Sequence, residues 1–418
     1  MYSFAIRLYA WVVSLIAPFH RKARLMRAGQ RQTEGILRER IDRRARYIWF
    51  HAASLGEFEQ GRPLMERIKA THPSYKILLT FFSPSGYEVR KNYKGADVVC
   101  YLPFDTPERV NRFLDLANPA VAIFIKYEFW GNYLRALRKR GVPTYIISSI
   151  FRRDQLFFQW YGYPYRKLLT CFTHLFVQDK KSVEVLAENG IHNVTETGDT
   201  RFDRVLDVCH EAKLLPLVER FVAGKEGTEK PAFVLVAGSS WPPDEAVFIP
   251  YFHAHPEMRL IIAPHEIHEE HLRGIEAMLK RPSIRYSQVK SADDLAGKDC
   301  LIIDCFGLLS SIYRYGQFAY IGGGFGVGIH NTLEAAVYGV PVFFGPNYKR
   351  FREAVDLVAS KAGIEVKSAE DFQASMDGLL ADPERLKAVS AAAANYVAGN
   401  AGATNIVMRQ LEADGALV

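Results

Sequence analysis

The chain predicts an α/β protein made of two doubly wound parallel-sheet domains in tandem, and three observations carry that expectation. Its 418 residues, 49% hydrophobic and 24% charged, exceed what one comfortable core accommodates. From residue 47 onward, short β-branched or aromatic runs alternate with helical-period segments, the pattern of parallel strands buried under helices. The alternation breaks off at a polar stretch, Gly-Lys-Glu-Gly-Thr-Glu-Lys-Pro at residues 224–231, and then restarts.

Residues 1–46 differ in kind. They carry 11 Lys/Arg against 3 Asp/Glu, a net of +8, so the chain's total of +7 leaves −1 for all that follows. Basicity confined to one end speaks against a nucleic-acid-binding body. Residues 1–19 are apolar with one interior charge, Arg7, and stop at Pro18-Phe19 before Arg21, Lys22, Arg24 and Arg27. A spanning helix needs about 20 apolar residues, and a signal peptide places its charges first. Two readings stay open: a buried structural helix, or a membrane-surface anchor with Trp11 and the tyrosines at the interface and the arginines on anionic head groups. The anchor is expected, peripheral or N-terminally attached to the inner membrane, with the body in the cytoplasm. Five scattered cysteines without CxxC spacing indicate neither a disulfide framework nor zinc.

The first domain is expected over 47–223, with strands at 47–53, 75–82, 97–102, 120–125, 143–149, 173–177 and 193–197. The second is expected over 232–418, with strands at 232–237, 258–263, 299–303, 317–321 and 340–344, and an Ala-rich helical stretch from about 383. The last helix is free to pack back on the first domain. Ligands of such sheets bind at strand carboxyl ends, so both domains are expected to aim loops into a central cleft.

Those loops divide by chemistry. In the second domain Ile321-Gly-Gly-Gly-Phe-Gly-Val-Gly-Ile-His-Asn-Thr-Leu-Glu334 reads as a glycine-rich approach to a helix starting near Asn331, suited to a phosphate, with Glu334 suited to ribose hydroxyls. It is neither GxGxxG nor a Walker loop. Ala237-Gly-Ser-Ser-Trp, Ala263-Pro-His-Glu-Ile-His and Asp304-Cys-Phe-Gly-Leu-Leu repeat the theme. The first domain offers carboxylates, an arginine and aromatics: Ser54 to Glu57, Ser83-Pro-Ser-Gly, Pro103-Phe-Asp, Lys126-Tyr-Glu-Phe-Trp and Thr197-Gly-Asp-Thr-Arg-Phe-Asp. Donor nucleotide in the second domain, and acceptor with catalysis in the first, is the division this suggests. No Asp-x-Asp occurs, so a metal-bridged diphosphate is not indicated. Ser54 and Glu57 also read as a plain capping box, and Glu128 as a cap of the helix after it.

Taken together, His51-Ala-Ala-Ser-Leu-Gly-Glu57, Glu128-Phe-Trp, Gly198-Asp-Thr-Arg-Phe-Asp203 and Gly328-Ile-His-Asn-Thr-Leu-Glu334, followed by Gly339-Val-Pro and Gly345-Pro, resemble the Kdo transferase family over nearly the whole chain. The resemblance implies a GT-B fold of two Rossmann-like domains. It implies inverting transfer of 3-deoxy-D-manno-octulosonic acid from CMP-Kdo to a lipid A precursor, without metal or cofactor. By it Glu57 is the general base, kept ionised by the helix N-terminus and pointing away from Ser54, while Glu128 and Arg201 stabilise the transition state. CMP-Kdo contacts fall on Ser239, Pro264, His265, Phe306, Gly307, Leu308, His330, Asn331, Thr332, Leu333 and Glu334. Where the family commonly has Pro-Arg-His this chain has Pro264-His-Glu, leaving His265 or His268 to replace the arginine. Arg201 stands at a usual lysine and Leu308 at a usual glutamate. Two other readings share the fold: a UDP-sugar transferase or epimerase, and a non-catalytic membrane-bound nucleotide-sugar sensor.

Overall fold

The computed structural model describes residues 2–212, 214–223, 233–326 and 328–418. The polar stretch 224–231 lies outside the described residues. Contacts divide the chain into two compact units: Met1–Arg204 with Ala401–Val418, and Val205–Asn400.

Unit 1 is built on seven parallel strands: β1 (Arg46–Ala52), β2 (Tyr75–Phe81), β3 (Val98–Tyr101), β4 (Pro119–Ile125), β5 (Thr144–Ser149), β6 (His174–Val177) and β7 (Val194–Glu196), in the order β3-β2-β1-β4-β5-β6-β7. Along β1, Ile48, Phe50 and Ala52 fill one core layer with Phe58, Leu64 and Met65, while Tyr47 and Trp49 fill the other with Phe113, Tyr133 and Leu134. Both faces are covered, so the strands read as unbroken apolar runs. Strand order reverses between β1 and β4, the position at which doubly wound sheets hold ligands.

The basic N-terminal segment is not a separate appendage. Helices α1 (Tyr2–Ile16) and α2 (Arg21–Arg40) meet at 116° across the Pro18 break, and no single helix among the described residues is long and apolar enough to cross a membrane. The α2 helix lies on β3. A side chain at Gly29 would strike the Tyr101 ring, and the Thr33 hydroxyl donates to the Tyr101 carbonyl at 2.9 Å. The α1 helix is tied down by polar groups at its start. Tyr2 Oη donates to Asp105 at 2.6 Å and accepts from the Gly131 amide at 2.9 Å, and Arg7 pairs with Glu108. Of the tyrosines expected at a lipid interface, Tyr2 is bound to the body, while Tyr9 stays 44% exposed and packs edge-on against Phe104. The opposite side of α1 keeps the apolar stripe Phe4, Leu8, Trp11 and Leu15 exposed.

The C-terminal helix Ala403–Ala413 belongs to unit 1. Val407, Met408 and Leu411 complete the layer around Phe58 and Tyr75, and Asp203 caps the helix by accepting from the Gly402 and Thr404 amides at 2.5 and 2.7 Å.

Unit 2 repeats the topology with β8 (Phe233–Ser240), β9 (Met258–Pro264), β10 (Ser283–Arg285), β11 (Cys300–Ile302), β12 (Phe318–Ile321), β13 (Val342–Phe344) and β14 (Gly363–Glu365), ordered β10-β11-β9-β8-β12-β13-β14. The edge strands β10 and β14 were not expected; each has three residues and only one neighbour. Residues 205–223, assigned by sequence to the first domain, belong to this unit, with the Leu215 amide donating to Tyr315 Oη at 2.9 Å.

Candidate active site

In unit 1 the loops after β1, β4 and β7 bring the three expected catalytic residues onto fixed supports. Glu57 sits in the first turn of α3 (Leu55–Thr71) and folds back: its Oε2 accepts from the amides of Ala53 at 2.6 Å and Ser54 at 3.1 Å. The expected orientation away from Ser54 is thus corrected, because two orphan amides at a helix start attract the nearest carboxylate. Both bonds fall on one oxygen, and Oε1 accepts no hydrogen bond among the described residues. Burial first, and the Glu128 charge second, push Glu57 above its ordinary pKa of 4.5 despite those amides. Desolvation thus outweighs the capping amides in setting the direction of the shift.

Glu128 follows β4 in a loop opened by Lys126, a non-glycine residue at φ +68°. Its Oε2 lies 3.0 Å from His51 Nε2 and accepts from the Trp130 indole at 2.6 Å. His51 is fully buried, with Nδ1 2.9 Å from the Thr80 hydroxyl, which also accepts from the Trp49 indole. Strands β1, β2 and β4 therefore fix one carboxylate. The reading of Glu128 as a helix cap is corrected: helix Gly131–Lys139 is capped by Tyr2 Oη on Gly131 and by Asp105, which takes the Asn132 and Tyr133 amides at 2.9 Å each.

Arg201 is clamped by buried Asp199, whose carboxylate accepts from Arg201 Nε and from the Arg201 amide at 2.9 Å. Asp199 also accepts from Gln60, one turn beyond Glu57 on α3, and from Gln178. Arg201 is thus a positioned cation with part of its charge already offset.

In unit 2 the expected donor residues collect where β8 and β12 diverge. Ser239 has φ +53° at the end of β8. Next to it Trp241 packs at 4.9 Å against the His265 ring, which stacks at 4.2 Å and 23° on His330, and the Trp241 indole donates to His330 Nε2 at 3.3 Å. Burial and the His265 charge lower His330 to about 4, so it is neutral at pH 7. Pro264 is buried where β9 pairs with Ser240. The segment after β11 passes over β8, since a side chain at Gly238 would strike Tyr313 and Leu309; Leu308 leads into that turn, with Gly307 at φ +86° and Phe306 exposed.

Three expectations in this unit are corrected. The helix predicted from Asn331 is a single turn, Leu333–Ala336, ended by Gly339 at φ +65° and Pro341, so it has no long dipole to offer. Asn331 is committed locally, donating to Glu334 Oε1 at 3.0 Å and accepting the Leu333 amide at 3.1 Å. Buried Thr332 keeps a hydroxyl with no partner among the described residues. His268 stands apart from the imidazole stack: it caps helix Glu269–Met278 through the His271 amide and pairs with Glu266 at 2.9 Å.

Two residues that the sequence reading passed over organise this end of the sheet. Asp244, 1% exposed, accepts from the Gly323 amide at 2.8 Å, the Trp241 amide at 3.0 Å and Tyr320 Oη at 3.2 Å, tying the glycine loop to the Trp241 loop. Its position three residues after Trp241 is the available signal. Arg350 lies against the glycine loop, its guanidinium 2.5 Å from where a Gly328 β-carbon would stand. Nothing in its local sequence marks it. Among the described residues no group of three or more His, Cys, Asp or Glu is arranged to hold a metal.

The family described as 3-deoxy-D-manno-octulosonic-acid transferase (kdotransferase) matches residues 22–204. The 3-deoxy-D-manno-octulosonic acid transferase of Bordetella pertussis is 29% identical over 386 residues, covering 87% of this chain and 86% of the relative. That of Aquifex aeolicus is 27% identical over 345 residues, covering 81% and 88%. Among solved structures, UDP-GlcNAc 2-epimerase from Neisseria meningitidis bound to UDP-GlcNAc superposes with a TM-score of 0.61 at 15% identity, over 87% of this chain and 99% of that one. A likeness at that identity speaks for the fold alone. Sequence relatives that each cover more than four-fifths of this chain make it Kdo-transferase-like at moderate identity, and it classes as a glycosyltransferase-family enzyme of GT-B-like fold.

Proposed function

We propose that the protein transfers Kdo from CMP-Kdo to a hydroxyl of a lipid A precursor of the lipid IVA type, with inversion and without a metal, in lipopolysaccharide core biosynthesis at the cytoplasmic face of the inner membrane. The observation that carries this reading is the divided carboxylate of Glu57: Oε2 occupied by two backbone amides, Oε1 without a hydrogen bond, and a raised pKa. A base whose affinity for a proton is raised toward the working pH is the better proton acceptor. In the proposed step the acceptor hydroxyl gives its proton to Glu57, its oxygen forms a bond to the anomeric carbon, and the bond from that carbon to the phosphate oxygen breaks with its electron pair leaving on CMP.

Glu128, held by His51 and Trp130, orders the acceptor side and raises the basicity of Glu57. Arg201, oriented by Asp199, offsets negative charge on the departing phosphate or the Kdo carboxylate. On the nucleotide side, the Trp241, His265 and His330 rings pack on one another, and Arg350 supplies the permanent cation that neutral His330 does not. The exposed apolar stripe of α1 supports attachment to a membrane surface, where such an acceptor resides.

Mass spectrometry of a tetra-acylated lipid A precursor incubated with CMP-Kdo and the protein, beside Glu57→Gln, tests the proposal. Product from the parent and none from a folded variant is expected; equal product from both would reduce Glu57 to a helix cap. Binding of UDP but not CMP would bring forward the UDP-sugar reading, which has the fold in its favour.

A further inference from the structure

Away from all these groups, unit 1 carries an open cavity of about 830 Å³ walled by two short helices, Gly131–Lys139 and Tyr163–Leu169. Each helix presents one i, i+3, i+4 face to it: Arg135, Arg138 and Lys139 from the first, Tyr163, Arg166 and Lys167 from the second. Five cations line the cavity with no carboxylate, and none of the five has an ion-pair partner among the described residues. Arg138 donates to the Thr170 hydroxyl, Arg166 to the Phe157 carbonyl, and Lys167 stands over the Tyr163 ring.

Cations in a last turn have an ordinary explanation in the helix dipole. That explanation leaves out what adjoins them. Trp160 is 90% exposed, and Tyr161 and Tyr163 are each 57% exposed, on the loop that Arg166 holds through Phe157. Three large aromatic residues in water beside five unpaired cations reproduce the composition of a lipid interface, rings at head-group depth and charges on phosphates. Arg135 links this face to α1, its guanidinium lying over the Tyr2 ring at 5.8 Å.

We infer that the Trp160–Tyr163 loop and the five-cation cavity form a docking surface for the phosphate head groups of an anionic bilayer, a contact point distinct from α1. It does not depend on which sugar is transferred. With it, the unit meets the membrane at two places and its orientation is fixed rather than free to swivel about α1.

Flotation of the full chain with phosphatidylcholine vesicles, with and without phosphatidylglycerol, tests this. The variant Arg138→Ala/Lys139→Ala/Lys167→Ala should lose about a hundredfold in partition to anionic vesicles, some fivefold per charge, with little change on neutral ones. Trp160→Ala/Tyr161→Ala should lose about tenfold on both. Phe4→Ser/Leu8→Ser/Trp11→Ser in α1 should weaken binding without abolishing the charge dependence. All of these positions are exposed, and an unchanged thermal transition verifies folding. Cation and aromatic variants that float like the parent, while the α1 variant alone loses binding, would overturn the inference and leave α1 as the anchor. Displacement from anionic vesicles by inorganic phosphate at unchanged ionic strength would assign the cavity to a soluble anion and overturn it equally.

Discussion

The two sheets share one topology and turn it to opposite electrostatic use at the same place. Where β1 and β4 part, unit 1 gathers carboxylates, and burial raises Glu57 against its own cap. Where β8 and β12 part, unit 2 gathers backbone amides and three packed rings, one of them an imidazole held neutral. A buried acid whose charge is disfavoured is a proton acceptor in waiting, whereas neutral packed rings with an exposed cation in the same unit suit a ligand that brings its own charge. The comparison teaches that the fold fixes where loops converge, and burial of single side chains decides what each convergence can do.

The largest expected effect comes from Glu57→Gln, which should lower kcat by about 10²–10⁴-fold. Its thermal midpoint at pH 7 should hold or rise. The raised folded-state pKa means that folding favours the protonated acid, so stability is greatest below the ordinary value of 4.5 and is lost as pH rises through the raised one. Glutamine removes that loss and still offers an oxygen to the amides. A clear fall in midpoint would show that the cap requires the charge.

Next is Asp244→Ala, which strands two buried amides and a tyrosine hydroxyl. It should cost about 3 kcal/mol by chemical denaturation and raise the donor KM about tenfold, with kcat far less affected. If kcat fell and KM did not, the amide-rich half would have to be credited with chemistry.

The pH profile separates the halves without mutation. kcat/KM should decline on the acid side with an apparent pKa above 4.5, as Glu57 takes a proton, while calorimetric donor affinity should persist until His330 protonates near 4. Coincident limbs would contradict the assignment. The smallest effect belongs to His268→Ala: about 1 kcal/mol from loss of a helix cap, and no change in donor KM. A KM effect there would return His268 to the phosphate side.

Much of the fold was legible because strands buried on both faces announce themselves as apolar runs; twelve were placed within a few residues. The missed β10 and β14 are edge pieces too short for any period to register. The N-terminal arginines read as lipid contacts because charge is visible in sequence, whereas the Gly29 and Thr33 face that seats α2 on Tyr101 becomes meaningful only once β3 is in place. The loop positions of Glu57, Glu128, Arg201, His265 and His330 followed from motif order. Their partners did not, since His51, Asp199 and Asp244 act through contacts made by folding. The helix expected to start near Asn331 begins at Leu333 because the Asn331 side chain takes the Leu333 amide in a local turn, a contact that only the folded loop reveals.

The return of the last helix to unit 1 has a consequence in the time order of synthesis. Unit 2 is one continuous stretch of chain, Val205–Asn400, and can close as soon as it leaves the ribosome. Unit 1 emerges first yet finishes last, for the layer holding Phe58 and Tyr75 stays open until Val407, Met408 and Leu411 arrive and Asp203 captures the turn at Gly402. During that interval its apolar sheet face needs protection from other chains. A translation pause within residues 205–400 should therefore expose unit 1, not the unit being made.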